Sequence, residues 1–179
     1  NEFILPEVID ENTILSNTHP YVITQDLLIP SGNSLTIQEG VELRMFHGSN
    51  IHVEGQLLIN GSEENPIQIT AHNSIENNRW GAICFTNALD TSYISYTKIS
   101  GASTGINPSV HHGAISSINS HIVISHIEID DVVFPIYVED GSISISESIL
   151  SCDYICDYIN VKRGEALIEN CTFFGSDAE

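Results

Sequence analysis

Basic residues are scarce in this sequence of 179 residues. Five lysines and arginines stand against twenty-four aspartates and glutamates, which gives a formal net charge of −19 at pH 7. A protein with this excess of negative charge repels phosphate backbones, anionic lipid surfaces and polyuronic acids. The composition therefore argues against nucleic acid as a partner.

Long apolar runs are also missing, since no stretch approaches the roughly eighteen uninterrupted apolar residues that a membrane span requires. We therefore expect no membrane-spanning segment. The sequence begins at Asn1 without a signal-peptide pattern. This favours a processed form or a piece of a longer protein.

Cysteine is too sparse for a disulfide scaffold, with four residues in the whole chain. Cys84, Cys152, Cys156 and Cys171 show no Cys-x-x-Cys spacing. We expect free thiols in preference to bridges. Cys152 and Cys156 are the pair close enough in sequence to test for a disulfide.

Helical periodicity is nearly absent, and apolar residues instead alternate with polar ones. Runs such as Ile51-His52-Val53, Ile136-Tyr137-Val138 and Ile143-Ser144-Ile145 have the period of two that indicates β-strands. Turn-forming pairs such as Asp140-Gly141 separate these runs. The pattern predicts many short strands joined by tight turns.

The strands recur at a regular interval from Trp80 onward, which indicates a repeat architecture. Successive members of the first column are 32, 21 and 23 residues apart, and those of the second are 30, 21 and 23 residues apart. The oversized step is explained by an insertion at residues 103–112, whose Gly, Pro and Asn mark it as a loop. The columns are Ile83, Ile115, Ile136 and Ile159; Ile94, Ile124, Ile145 and Ile168; and Ile99, Ile129, Leu150 and Phe173.

These columns predict an all-β fold, a right-handed single-stranded parallel β-helix in one domain. Stacked coils about 4.8 Å apart would bury continuous aliphatic ladders that a single coil cannot bury alone. A leucine-rich repeat has a similar period but needs Leu-rich positions and usually a helical return, which this sequence lacks. We expect an N-terminal cap at residues 1–20 and coils over 21–175. The uncovered last coil favours either a truncated chain or an end-to-end partner, which includes end-to-end self-association.

Four segments of the sequence carry a family resemblance. They begin with Leu35-Thr36-Ile37, Ile51-His52-Val53, Asn65-Pro66-Ile67 and Trp80-Gly81-Ala82. These segments resemble the right-handed parallel β-helix domains of large bacterial secreted and surface proteins, in the pectin-lyase-like superfamily. The resemblance covers residues 21–175 and implies the same fold, with a secreted or cell-surface location. It leaves the function open, because the superfamily spans lyases, glycosidases, adhesins and spacers.

The residues needed for polysaccharide cleavage match poorly. A polyuronate lyase needs a cluster of calcium-binding aspartates beside an arginine or lysine base, whereas Arg44, Arg79 and Arg163 lie on different predicted coils. A glycosidase needs two carboxylates roughly 5 to 10 Å apart. The acidic clusters fall at predicted turns, where aspartate favours backbone hydrogen bonds. Glu139 with Lys162, and Asp140 with Arg163, are expected to pair between coils.

Metal binding is a second hypothesis. His111 and His112 in the inserted loop, with His121 and His126, show no convincing ligand spacing for a transition metal. Calcium suits the acidic turns better, because it prefers oxygen ligands and negative charge. The predicted calcium ligands are Asp130, Asp131, Asp153 and Asp157.

A binding face is the third hypothesis. The residues that follow the first column, Cys84, Ser116, Tyr137 and Asn160, are predicted to stack along the outside of the helix. Trp80 and Tyr158 would lie at its margin. Aromatic and hydroxyl groups there would hold a neutral sugar by ring stacking and hydrogen bonds. The sequence thus favours a non-catalytic spacer or a module that binds polysaccharide or another surface protein, with a polysaccharide-active enzyme as the alternative.

Overall fold

The computed structural model describes residues 2–72, 78–105, 107, 109, 111–152 and 156–175. All regular secondary structure in these residues is β-strand. The strands are β1 (Phe3–Ile4), β2 (Thr13–Leu15), β3 (Tyr21–Ile23), β4 (Leu27–Ile29), β5 (Ser34–Gln38), β6 (Glu42–Met45), β7 (Ile51–Val53), β8 (Gln56–Asn60), β9 (Ile67–Ala71), β10 (Ile83–Thr86), β11 (Ser92–Ser100), β12 (Ile115–Ile118), β13 (His121–Asp130), β14 (Ile136–Glu139), β15 (Ser142–Ser146), β16 (Ile149–Cys152), β17 (Ile159–Lys162), β18 (Glu165–Glu169) and β19 (Thr172–Gly175).

The strands pair in parallel and form three faces of one wound sheet. Face I contains β1, β3, β6, β9, the second halves of β11 and β13, β16 and β19. Face II contains β4, β7, β10, β12, β14 and β17. Face III contains β2, β5, β8, the first halves of β11 and β13, β15 and β18. Each coil runs through the faces in the order I, II, III, so the chain is an all-β parallel β-helix, as predicted.

The predicted columns are confirmed residue by residue. In the first column Ile83 pairs with Ile115, Ile115 with Ile136, and Ile136 with Ile159. The second and third columns pair in the predicted order as well. Inward alternation along each strand, combined with a step of one coil, was sufficient to set this register.

The core is the stack of inward aliphatic side chains. Ile83 and Ile115 are 0% exposed and Ile136 is 1% exposed. Each coil is covered by the next, so inward side chains become exposed at the two ends of the described stack. In the first coil Phe3, which stacks on buried Tyr21, is 51% exposed. In the last coil the column residues Ile168 and Phe173 are 45% and 42% exposed.

Residues in the left-handed conformation turn the chain between faces. Tyr96 and His126 have φ values of 44° and 52° and bend β11 and β13 at the corner between faces III and I. Asn87 and Asn119 have positive φ at the corner between faces II and III, where Asn119 Nδ2 donates to Asn87 Oδ1 at 2.9 Å. A single left-handed residue bends the chain sharply, and Asn tolerates this conformation.

The predicted cap and the predicted insertion both connect directly to the stacked strands. Segment 1–20, predicted as a cap, contributes β1 and β2, which pair in parallel with β3 and β5 and so continue the stack. The inserted segment 103–112 connects face I to face II, between β11 and β12. Within the described ranges, no helix combines the length and hydropathy that crossing a bilayer demands.

Candidate functional site

The outward column of face II stacks as predicted. His52, Cys84, Ser116, Tyr137 and Asn160 are successive partners on β7, β10, β12, β14 and β17. Yet Cys84 and Ser116 are 0% exposed, although their side chains point away from the core. This part of the outer face is therefore covered.

Part of this cover comes from described residues of the inserted segment 103–112. A Cβ atom added to Gly105 would overlap Cys84 Sγ and lie 2.6 Å from His111 Cβ, so the backbone of Gly105 packs directly on the column. The ring of His111 faces that of His52 with centroids 6.2 Å apart. Gly105 and His111 of the insertion thus lie over face II.

A surface pocket of about 280 Å³ opens beside the covered area. The ring of His112 meets that of Tyr137 edge-on, with centroids 4.8 Å apart. Phe134 is 37% exposed and Tyr137 is 7% exposed, while Asn160 Nδ2 donates to Asp157 Oδ2 at 3.0 Å. The pocket is lined by His112, Phe134, Ile136, Tyr137, Asp157 and Asn160.

Three of the predicted sugar-binding residues do not line this pocket. Trp80 is 0% exposed and its Nε1–H donates to Ser100 O at 2.8 Å, so its predicted place at the surface margin is wrong. Ser116 is buried and its hydroxyl donates to Gly113 O at 2.9 Å. Tyr158 is half-buried and packs on Phe173, with ring centroids 5.3 Å apart. Tyr137 and Asn160 are the predicted residues that meet in the pocket.

Tyr137 is held by a charged network on face II. Its hydroxyl donates to Glu139 Oε2 at 2.6 Å, and Lys162 Nζ lies 3.0 Å from Glu139 Oε1. Arg163 contacts Glu139 and pairs with Asp140 at 2.8 Å. Both predicted inter-coil pairs, Glu139 with Lys162 and Asp140 with Arg163, are therefore present.

This network shifts two pKa values in opposite directions. The hydrogen bond from Tyr137, followed by that from Lys162, lowers the pKa of Glu139 to about 2. Burial, followed by the bond to Glu139, raises the pKa of Tyr137 to about 12. The pair is thus a neutral phenol bonded to a carboxylate, and the phenol ring is fixed in orientation.

A pH-dependent loss of stability is expected from Glu139. Because its folded-state pKa is lowered, its contribution to stability is present above the ordinary carboxyl pKa and is lost as the pH falls towards about 2. Replacing Glu139 by glutamine should therefore cost most near neutral pH, and the difference from the wild type should shrink below about pH 4. Urea unfolding of both proteins at several pH values measures this difference.

Glu128→Gln is the matched control for this experiment. Glu128 pairs with Lys98 at 2.9 Å, but both side chains are about half exposed, at 43% and 51%. Exposed pairs contribute little to stability, so this variant should unfold nearly as the wild type does at every pH. A Glu139→Gln difference that stays constant with pH would contradict the assigned network.

The three predicted calcium ligands that the structure describes are not gathered into a site. Asp131 pairs with Arg79 at 2.7 Å, Asp157 accepts from Asn160, and Asp130 is exposed. Asp153 lies outside the described residues. In the part of the chain that the structure describes, no three His, Cys, Asp or Glu side chains are placed to hold a metal ion. His121 and His126 lie on face III and at its corner with face I, away from His111 and His112.

The expectation of free thiols is wrong for one pair. Cys152 and Cys156 form a disulfide, with their Cα atoms 7.0 Å apart. Cys84 is a buried thiol and Cys171 a half-buried one. The bridge spans the connection from β16 to β17, directly before Asp157 at the pocket.

Sequence reasoning missed one pocket residue and considered two others for a different role. His112 was considered for metal binding, and Asp157 for calcium. Phe134 was not selected, although it precedes Pro135 at the start of a repeat. An aromatic residue immediately outside an aliphatic column was the available signal for a partly exposed ring.

Comparisons with known proteins agree on the fold. A family model described as the pectate-lyase-like β-helix domain matches residues 7–127. The solved structure of a candidate glycosyl hydrolase from Parabacteroides merdae is similar over 100% of this chain and 82% of its own, with a TM-score of 0.54 and 11% identity. No curated protein sequence matches the chain significantly.

Proposed function

Because the chain belongs to the family of pectate-lyase-like β-helix domains, we propose that it is a non-catalytic module that binds neutral carbohydrate in the face II pocket. The observation that carries this proposal is the pairing of aromatic rings with an amide and a carboxylate around one opening. The module is part of a larger secreted or cell-surface protein.

The pocket chemistry suits a sugar ring. Carbohydrates present C–H groups on one side and hydroxyl groups around their edge, so they are held by an aromatic surface with hydrogen-bonding groups beside it. The exposed ring of Phe134 supplies the apolar surface, and Tyr137 supplies a second ring. Asn160 donates and accepts hydrogen bonds, and Asp157 accepts them.

The lining disfavours catalysis on a polysaccharide. Asp157 is the one carboxylate among the described lining residues, whereas hydrolysis ordinarily needs a pair. Lys162 and Arg163, the basic residues at the end of β17, are engaged with Glu139 and Asp140. The net charge of −19 further disfavours a polyanionic ligand.

A location outside the cytosol is supported by the Cys152–Cys156 disulfide. Disulfides persist mainly in oxidising compartments. This fits the secreted or cell-surface origin that we propose for the parent protein.

The test is direct binding of neutral oligosaccharides to the purified chain, first on a glycan array and then by calorimetry. Phe134→Ala and Asn160→Ala should each weaken binding at least about tenfold, since each removes one class of contact from the pocket. Tyr93→Ala is the control, because Tyr93 is an aromatic residue 46% exposed on face III, and it should bind as the wild type does.

Two results would overturn the proposal. Equal affinity in the pocket variants and the control would place the binding elsewhere. Release of reducing ends from any bound glycan would instead favour hydrolysis, the activity suggested for the Parabacteroides merdae structure.

A further inference from the structure

His111 is the most buried histidine side chain near the pocket. It is 5% exposed, although it belongs to the inserted segment 103–112 on the outside of the helix. Gly105 of the same segment packs against it and against Cys84. Among the described residues of the segment, His111 is thus a buried side chain that contacts face II.

The hydrogen bonds of His111 define its protonation state. The backbone N–H of Asn107 donates to His111 Nδ1 at 3.1 Å, so Nδ1 carries a lone pair and the proton of the neutral ring is on Nε2. His111 Nε2 is buried and has no hydrogen-bond partner among the described residues. This tautomer is unsuited to binding a metal through Nε2, which would need its lone pair there.

The described side chains that face His111 include no carboxylate that would compensate a positive charge. On β7 the ring of His52 lies at a centroid distance of 6.2 Å, and its Nε2 is also buried without a partner. On β10 the neighbour is Cys84, and within the segment it is His112, which packs on Tyr137 of β14. Burial, followed by His52 and then His112, lowers the pKa of His111.

We propose that His111 is a pH-dependent anchor, which holds the inserted segment on face II while neutral and releases it when protonated. A proton on Nδ1 would point at the N–H of Asn107, which removes that hydrogen bond and leaves a buried charge without an acceptor. Release would withdraw His112 from Tyr137 and uncover Cys84. The consequence for carbohydrate affinity rests on the proposed function of the pocket.

The sign of the effect follows from the lowered pKa. The seated state binds fewer protons than the released state, so the seated state loses stability as the pH falls below the ordinary histidine value of about 6.5. Release is therefore favoured in mildly acidic solution. The affinity of the pocket for a neutral glycan should fall in the same pH interval.

The uncovering of Cys84 tests the anchor without any ligand. In a Cys171→Ser background under non-reducing conditions, Cys84 is the thiol to be labelled with 4,4′-dithiodipyridine, a reagent that remains active in acid. At each pH, the labelling rate of Cys84 is divided by the labelling rate of a short peptide that contains one free cysteine. This ratio should rise at least about tenfold between about pH 7.5 and about pH 5.

Two variants separate the anchor from general acid effects. His111→Asn keeps an acceptor oxygen near the position of Nδ1 but takes up no proton in this range, so its labelling ratio should stay constant. His121→Asn removes an exposed histidine on face III, bonded to Ser142 at 2.7 Å, and should keep the wild-type rise. A ratio that is constant in the wild type, or that rises equally in His111→Asn, would overturn the anchor.

Nitrogen-15 NMR of the imidazole rings provides a second measurement, on the wild type, if His111→Asn does not fold. The proton of His111 should be on Nε2 at neutral pH, and a proton on Nδ1 would overturn the proposal.

Failure of the anchor is distinguishable from failure of the pocket. If the labelling ratio of Cys84 depends on pH but no glycan binds, the proposed function alone is refuted. If a glycan binds but Cys84 stays protected at every pH, the anchor alone is refuted.

Discussion

Replacing Ile115 by alanine is expected to lower the free energy of unfolding by about 2 to 5 kcal/mol. Ile115 is 0% exposed and lies between Ile83 and Ile136 in the middle of the first column. Truncation removes buried methyl groups and leaves a cavity that the coils above and below cannot fill, because their strands are held by backbone pairing. A domain with a total stability of about 5 to 15 kcal/mol would lose a large part of it.

The same substitution at Ile159 is the matched control. Ile159 occupies the same column but is half-buried, on the last strand of face II. Its replacement should cost about 1 kcal/mol, since less apolar surface leaves water there on folding. Urea unfolding followed by circular dichroism measures both values, and equal losses at the two positions would contradict the stacked column.

Replacing Gly55 by alanine is expected to cost about 3 kcal/mol or more, or to prevent folding. A Cβ atom at Gly55 would overlap the carbonyl oxygens of Pro30 and Asn33, which belong to the turn of the adjacent coil. These are backbone atoms, and that turn also accepts the N–H of Gln56 at Asn33 O, at 3.0 Å. The coils must therefore separate locally, which breaks inter-coil hydrogen bonds.

Gly32→Ala in the same turn separates crowding from backbone strain. Gly32 has a φ of +88°, and an added Cβ would meet nothing within 4 Å. Its replacement should cost only the strain of the left-handed conformation, about 1 to 2 kcal/mol. Thermal unfolding of the two variants compares them, and a Gly32→Ala cost equal to or above that of Gly55→Ala would refute the close approach.

The fold was predictable because the two patterns that determine it, alternation and repeat spacing, are both visible in the sequence. Alternation decided which side chains point inward, and the steps of 21 and 23 residues decided which inward residues meet. Ile115, Ile136 and Ile159 therefore paired as expected. Neither determinant depends on the conformation of the connections between faces.

The site was less predictable because it is built by those connections. Alternation shows that Cys84 points outward, but not that Gly105 of the inserted segment packs against it. Trp80 precedes its strand, where alternation does not apply, and its ring lies inside the helix. The Cys152–Cys156 bridge depends on how one connection closes, and the spacing of four residues did not determine that.

The connections between faces I and II differ most in length from coil to coil, and they are also the ones beside the pocket. Residues 103–112 lengthen one of them while the strands on both sides keep their partners. The lining of the pocket can therefore change through insertions on this one side of the solenoid, with the scaffold unaltered. At the corner between faces III and I, Tyr96 and His126 each turn the chain alone. The longest connection at that corner, residues 61–66 between β8 and β9, is shorter than the connection that holds the insertion.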